Sequence, residues 1–491
     1  MNISLCLSPG YYDLTDGIIE ERLFLFSVFY KYRNMNKTVV INVVGLCGRL
    51  IGEYTPFLSR WSTKQKGALI KPVFPAVTCS VQSSYLTGNY PSGHGIVGNG
   101  WYFRDECEVK FWKQSNKLVQ ADKIWDQARR INKDFTCSNM FWWYNMYSNA
   151  DFSVTPRPMY PADGRKIPDC YSHPMELRDE LQAKLGQFPL FSFWGPKTDI
   201  RVSQWIANAS KIVDQKYNPT LTLIYLPHLD YGLQRWGHDL VRIKKDLREI
   251  DKVCGDLISY YEKQDCSVIV LSEYGITNVS NPVHVNRVLR EHGLIKVKNE
   301  LGRELLDAGA SDAFAVADHQ IAHIYINNES RRDEIRQLLS SVTGIEAVLD
   351  PEEQKRMNID HERSGDFVLI ADKDSWFTYY YWTDDLKAPD YARTVDIHRK
   401  PGYDPVELFT DPEISMLPVK VAAKLIKKKL GFRTLMDIIP LDATLVRGSH
   451  GRIPDDKADW PVFVSKDAGD MEMSPADVYQ KILQTVMGAL Q

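Results

Sequence analysis

The chain has no C-x-x-C pair, no surplus of basic charge, no internal repeat and no low-complexity tract. Each absence excludes something. Eight cysteines (Cys6, Cys47, Cys79, Cys107, Cys137, Cys170, Cys254 and Cys266) are scattered over 491 residues. Without paired spacing they make neither a zinc ribbon nor a thioredoxin motif. They are too sparse for a disulfide scaffold, so a reducing cytosol and a cytoplasmic location are expected. A formal net charge of −3 gives no global basic field, and no nucleic-acid polymer is expected as a partner. Long apolar runs are missing too. Leu23 to Tyr30 (LFLFSVFY) is far short of the ~20 residues that span a bilayer. It follows Glu20, Glu21 and Arg22, where a signal peptide would start basic. No membrane partner is expected.

What remains is the composition of a globular protein, 44% hydrophobic and 25% charged. A single core usually stops growing near ~250–300 residues, so the length calls for one large domain with an elaboration, or two domains. The globular pattern starts abruptly after Met35, at KTVVINVVGL, which sets residues 1–34 apart as an N-terminal appendage. Lys37 to Leu46, Leu221 to Leu226 and Ser267 to Leu271 are apolar, β-branched runs that read as buried strands. Lys71 to Val77 reads as a further extended piece, and Ser80 to Leu86 as a helix stopping at Gly88. Between the later two strands, Leu240, Ile243, Leu247, Ile250, Val253 and Leu257 recur at helical spacing. Strand, helix and strand in that order imply a βαβ unit and a parallel sheet. From about residue 311 the pattern changes to short strands and helices, with a hairpin expected around Ala371-Asp372-Lys373-Asp374. The reading is therefore an α/β fold. A mostly parallel sheet with helices on both faces spans 35–310, an inserted α+β cap spans 311–435, and 436–491 return to the core.

The stretch richest in chemistry runs from Phe74 to Gly100, FPAVTCSVQSSYLTGNYPSGHGIVGNG. A hydroxyl at Thr78, where the chain turns into a helix, sits near free backbone N–H groups and the positive end of the helix dipole, which suits a phosphoryl oxygen. An N-cap is the alternative role.

The segment resembles the signature of the alkaline-phosphatase superfamily, in its branch of type I phosphodiesterases, nucleotide pyrophosphatases and phosphonoacetate hydrolases. There a strand ends in FP-x-x-T and TG-x-YP-x-x-HG-x-x-GN follows. The resemblance implies that Thr78 is the nucleophile and that Asn99 is the phosphate-binding amide. His94 belongs to the same signature, as a turn residue or a site residue. The family's chemistry uses two divalent metals about 4 Å apart to lower the nucleophile's pKa and neutralise phosphoryl charge.

Six further ligands are implied, and three of those positions (Val44, Gln234 and Tyr274) lose their ligand type, while a fourth, Glu273, keeps a carboxylate. The first family Asp falls at Val44, which cannot bind a metal. Asp230 matches the second, but the His four residues later is Gln234. The Asp-His pair becomes Glu273 and Tyr274. The last His is His450, in GSHG. A set of Asp230, Gln234, Glu273, Tyr274, Thr78 and His450 is rich in oxygen. It suits one or two Mn²⁺, Mg²⁺ or Ca²⁺ ions better than Zn²⁺. His228, His238, His319 (after Asp318), His323 and His398 (in DIHRKPGYD) are accessory candidates or structural residues, with His228 expected to face the same way as Asp230. Arg399 and Lys400 are anion ligands or a solvated pair. The cluster Phe141-Trp142-Trp143-Tyr144-Asn145 either stacks on a ring or packs a loop.

These features lead to the expectation of a metal-dependent hydrolase or phosphoryl-transfer enzyme acting on a small phosphorylated substrate through Thr78. The alternative is an altered family member that binds such a ligand without hydrolysing it, or runs a non-standard biosynthetic reaction.

Overall fold

The structure is a computed structural model that describes residues 35–469 and 472–488. The expected appendage, residues 1–34, lies outside the described residues.

The elements that position the site are, in chain order, β1 (Thr38–Val43), β2 (Lys66–Leu69), α1 (Thr78–Thr87), β3 (Cys137–Met140), β4 (Phe152–Pro156), β5 (Cys170–His173), α2 (Arg201–Tyr217), β6 (Leu221–Leu226), α3 (His228–Trp236), α4 (Leu240–Glu262) and β7 (Ser267–Leu271). They continue with β8 (Ala313–Asp318), β9 (Ile321–Ile326), β10 (Ile345–Leu349), β11 (Phe367–Ala371), β12 (Val462–Ser465) and α5 (Pro475–Met487).

An eight-stranded sheet has the order β2-β12-β7-β1-β6-β3-β4-β5. Its five central strands, β7 to β4, are parallel. The edges β12, β2 and β5 are antiparallel. β1 (TVVINV) and β6 (LTLIYL) are buried along their whole length, as strands covered on both faces must be. Polar Asn42 interrupts the apolar run of β1 at full burial. The chain leaves β6, forms α3 and α4, and returns as β7 on the far side of β1. Asp239 caps α4 by accepting from the backbone N–H groups of Val241 and Arg242. Ile243, Leu247, Ile250 and Leu257 face the core from that helix. The molecule has the α/β class and mostly parallel sheet expected of the sequence.

A separate antiparallel sheet, β8-β9-β11-β10, is built from residues 313–371. The expected hairpin is not there. β11 pairs with β9 and β10, while Ser375–Phe377 pairs in parallel with Asn281–Val283. The turn residues are a local cue only. Trp376 and Phe377 are buried beside Val283, and that burial decides the pairing. Lys71 to Val77 also forms no strand: Ala76 makes a single bridge to Gly451. Pro72 and Pro75 lack the N–H groups a ladder needs.

Candidate active site

Val77 is extended (φ −128°, ψ 151°) and the helix α1 begins at Thr78. The start of a helix leaves N–H groups without helical partners. One of these, from Cys79, donates to Asn99 Oδ1 at 3.0 Å. At the other end Gly88 closes α1 with φ +69°, and a Cβ there would press on the Tyr479 ring at 3.1 Å.

Asn99 is held from several sides. Its backbone N–H and its Nδ2 donate to the Asp318 carboxylate at 2.8 and 3.1 Å. Nδ2 also lies 3.0 Å from the Tyr403 hydroxyl, which itself donates to Asp318 Oδ1 at 2.8 Å. Burial pushes Asp318 up to about 6, against the pull of the Asn99 and Tyr403 hydrogen bonds. β8 and the DIHRKPGYD segment thus reach into the site beside α1.

The Thr78 hydroxyl is buried and lies 3.0 Å from the Tyr274 hydroxyl. Tyr274 donates to Asp230 Oδ1 at 3.3 Å. Gln234, one helical turn beyond Asp230 on α3, donates from Nε2 to Asp230 Oδ2 at 2.7 Å. The resulting chain runs Thr78 to Tyr274 to Asp230. Burial raises Asp230 to about 7, with the Gln234 and Tyr274 hydrogen bonds opposing it. The Tyr274 phenol is raised well above its usual range, first by burial and then by the nearby Asp230 and Glu273. His450 stacks on the Tyr274 ring at 3.8 Å, and His319 lies against His450 at 3.9 Å. The Ala76 carbonyl accepts from His450 Nδ1 at 2.8 Å, which leaves Nε2 as a free lone pair. Burial lowers His450 to about 3, so it is neutral.

One pocket collects these groups. Thr78, Asn99, Asp230, Gln234, Tyr274, His319 and His450 supply its polar side, and Trp112, Trp143, Phe193, Trp194, Tyr231 and Tyr403 its aromatic side. Trp143 therefore reaches the pocket, whereas Trp142 and Phe141 of the same cluster pack into the core.

Glu273 is not in that lining. It is fully buried, and its Oε1 accepts from Asn42 Nδ2 at 2.5 Å and from Gln82 Nε2. Burial raises it to about 8, more than those two hydrogen bonds lower it. Val44 is buried and apolar. A metal beside Thr78 fits this chemistry poorly: Val44 stands where the Asp would be, Glu273 Oε1 is held by Asn42 and Gln82 so that only Oε2 is without a partner, and a phenol contacts Thr78. The outer position fits one divalent cation better. Asp230, the partnerless Oε1 of Gln234 and the free nitrogen of His450 remain, and an imidazole whose other nitrogen donates to a carbonyl is the usual arrangement of a metal-binding histidine.

The accessory histidines separate. His319 enters the pocket. His228 does not face the same way as Asp230. β6 ends at Leu226 and His228 is already helical, so a two-residue offset is about 200° of rotation rather than one strand alternation. His238 lies near Asp459, with Nε2 3.9 Å from its carboxylate. His323 lies 3.0 Å from the Val97 carbonyl and accepts from Gly365 N–H. His398 packs near Trp143 behind the lining. His94 lies 3.0 Å from the Ser84 hydroxyl in the core. Asn42, Gln82 and Tyr403 are site-shaping residues that the motif does not mark. Asn42 alone carries a sequence cue, a polar residue inside a buried strand.

The fold and pocket define an α/β protein with its site at the carboxyl ends of parallel strands, where open sheets of this kind bind ligands. Residues 38–404 match the model of the type I phosphodiesterase/nucleotide pyrophosphatase family, and the chain belongs to that family. It is 25% identical over 267 residues to ectonucleotide pyrophosphatase/phosphodiesterase 2 of Saccharomyces cerevisiae, covering 50% of this chain and 48% of that protein. A pyrophosphatase/phosphodiesterase of Schizosaccharomyces pombe is 26% identical over 216 residues, 43% of this chain and 38% of its own. The chain thus spans less than half the length of these curated relatives. Among solved structures, murine ectonucleotide pyrophosphatase/phosphodiesterase 5, as an inactive variant in complex with AMP, superposes with a TM-score of 0.54 at 15% identity. That match covers 93% of this chain and 96% of the murine one. Phosphonoacetate hydrolase from Sinorhizobium meliloti superposes with a TM-score of 0.55 at 14% identity, covering 92% and 97%. No helix among the described residues is long and apolar enough to cross a membrane.

Proposed function

We propose that this chain is a hydrolase or phosphoryl-transfer enzyme for a small phosphodiester, pyrophosphate, phosphomonoester or phosphonate, acting through Thr78 with one divalent cation instead of two. The observation that carries this reading is the Thr78 hydroxyl at the start of α1, 3.0 Å from Tyr274 in the pocket that also holds Asn99, Asp230 and His450. Thr78 Oγ1 attacks phosphorus while the bond to the leaving group breaks, P–O in an ester or pyrophosphate and P–C in a phosphonate, and water or a second acceptor then takes the phosphoryl group from Thr78. Tyr274 orients the hydroxyl and gives its proton a hydrogen-bonded exit towards Asp230. The partnerless amides at the start of α1 receive a phosphoryl oxygen, and Asn99, whose Nδ2 hydrogens go to Asp318 and Tyr403, joins them by releasing one of those two bonds. Asp230, Gln234 and His450 would hold the cation, which would supply a Lewis acid for the phosphoryl charge. The oxygen-rich donors favour Mn²⁺, Mg²⁺ or Ca²⁺ over Zn²⁺. Residues 311–435 act as the cap that selects the leaving group. The aromatic wall of Trp112, Trp143 and Trp194 suits a base or other ring, and a solved neighbour is recorded with AMP.

Hydrolysis of p-nitrophenyl phosphate mono- and diesters, with each of Mn²⁺, Mg²⁺, Ca²⁺ and Zn²⁺ in excess, tests the proposal. Metal-dependent turnover that Thr78→Ala abolishes supports it. The second reading is a protein that binds a phosphorylated ligand without turnover, and it is favoured by Val44 and by the clamped Glu273. Its signature is AMP binding by calorimetry with no hydrolysis under any cation.

A further inference from the structure

We propose that His228, Asp246 and Glu249 form a second divalent-cation site, between α3 and α4 and separate from the pocket. His228 opens α3 and is only 3% exposed. Neither of its ring nitrogens makes a hydrogen bond of good geometry, and beyond the two carboxylates its polar neighbour is Asp199, whose backbone and charge act on the ring. A buried imidazole left in that state calls for a ligand. Nε2 points at two carboxylates, 3.6 Å from Asp246 Oδ1 and 3.4 Å from Glu249 Oε2. One ligand atom from each of the three residues lies within 4.8 Å of the others.

These separations discriminate between two roles. They exceed the ~2.7–3.2 Å of a hydrogen bond from an imidazole N–H. The 3.4 Å separation equals the edge of a tetrahedron with metal–ligand bonds of ~2.0–2.1 Å, about 3.3–3.4 Å, and the 3.6 Å one is slightly longer, so a small side-chain shift would close the set on an ion. Asp246 and Glu249 are three apart on α4 and share a face. On α3 a glycine makes room for one of them: a Cβ at Gly232 would collide with Asp246 Oδ2. The nearest cations, Lys245 and Arg235, act on the cluster through their charge but make no hydrogen bond to its centre. Lys245 Nζ lies 3.7 Å from Glu249 Oε1 on a largely exposed side chain, and Arg235 is engaged with Thr198 and the Tyr231 carbonyl.

One imidazole and two carboxylates, with water in the fourth position, suit Zn²⁺ or a similar borderline cation. Such an ion would clamp the first turn of α3 to α4, two residues before Asp230. It would therefore brace Asp230 and Gln234 from behind without touching substrate.

The test uses the full chain stripped with a chelator and carrying Asp230→Asn, which weakens the pocket as a competing site. Co²⁺ is added as a spectroscopic probe and its uptake measured by elemental analysis. One equivalent with the intense visible bands of tetrahedral Co²⁺ is expected. Glu249→Gln, on a partly exposed side chain, and Asp246→Asn should each lose both uptake and bands while circular dichroism shows a folded chain. Zn²⁺ should raise the melting temperature of the parent and not of Glu249→Gln. Failure of the Asp230→Asn chain to bind Co²⁺, or equal uptake and spectrum in Glu249→Gln, overturns the proposal. Neither readout depends on hydrolysis, so the outcome is independent of the activity proposed above.

Discussion

The Tyr274 hydroxyl stands between the Thr78 hydroxyl, at 3.0 Å, and Asp230 Oδ1, at 3.3 Å. A residue that falls where the resemblance places a metal-binding histidine thus contacts the Thr78 hydroxyl. Tyr274 is kept neutral by burial beside Asp230 and Glu273, which in the proposed mechanism lets it relay a proton without retaining a charge.

Tyr274→Phe is expected to preserve packing against His450 while removing both hydrogen bonds. If the Thr78 proton leaves by this route, kcat should fall by about 10²–10⁴-fold, the usual range for loss of proton-transfer assistance. KM should change little. In a Thr78→Ala background the same substitution should have no further effect, because the two residues act as one unit. Steady-state kinetics of the single and double variants checks this.

Glu273 provides a pH prediction of definite sign. Its folded pKa, about 8, lies above the ordinary 4.5. Below about 4.5 it is protonated in both states and contributes no pH dependence. Between 4.5 and 8 the unfolded chain ionises while the folded chain keeps the proton, so Glu273 makes stability fall as pH rises. Glu273→Gln mimics the protonated form, and its amide oxygen still accepts from Asn42 and Gln82. Urea unfolding across that window should show a smaller loss of stability in the variant, with turnover retained. Loss of turnover and of a bound cation in Glu273→Gln would instead mark Glu273 as a ligand.

The central strands, the helix after Thr78 and the motif itself were legible because each is local. β1 and β6 are uninterrupted apolar runs, and α4 has an unbroken helical period. β3 (CSNM) and β5 (CYSH) carry no such run, since their place in the sheet comes from neighbours far away in sequence. The site divides in the same way. Thr78 and Asn99 lie in one signature, and Asp230 and His450 match family positions in two separate later segments, YLPHLDYGLQRWG and GSHG. That Glu273 turns from the pocket to Asn42 and Gln82 depends on contacts across 231 and 191 residues. Likewise, His228 leaves the Asp230 face only because the helix begins one residue after Pro227, a boundary that periodicity does not resolve.

If Val44, Glu273 and Tyr274 mark a lost inner metal position, as the resemblance implies, that position should be restorable. Val44→Asp, Glu273→Asp and Tyr274→His together return the family's donor types to three buried positions. Combined with Glu249→Gln, which removes the proposed second site, the triple variant should bind two divalent cations where the Glu249→Gln parent binds one. Elemental analysis after dialysis gives the count. Stoichiometry that stays at one would mean that backbone placement, and not only side-chain identity, has closed the position.

Lys400 and Glu407 connect the DIHRKPGYD segment to the pocket wall. Their ion pair spans 2.5 Å, with side chains 2% and 3% exposed. Glu407 also accepts from the Trp194 indole at 3.1 Å, and Trp194 lines the pocket. Lys400→Met leaves a buried carboxylate without its cation and should cost about 3–5 kcal/mol. Adding Glu407→Gln removes the unpaired charge but keeps an acceptor for Trp194, so the double variant should recover part of that loss. Glu407→Leu on its own strands the Lys400 ammonium and frees the Trp194 indole. It should therefore lower stability and raise KM for an aromatic phosphodiester, whereas the Lys400→Met/Glu407→Gln double variant should keep KM close to that of the parent. Urea unfolding together with KM measurements separates the two effects. Equal stability of Lys400→Met and the double variant would show that the buried charge does not set the cost.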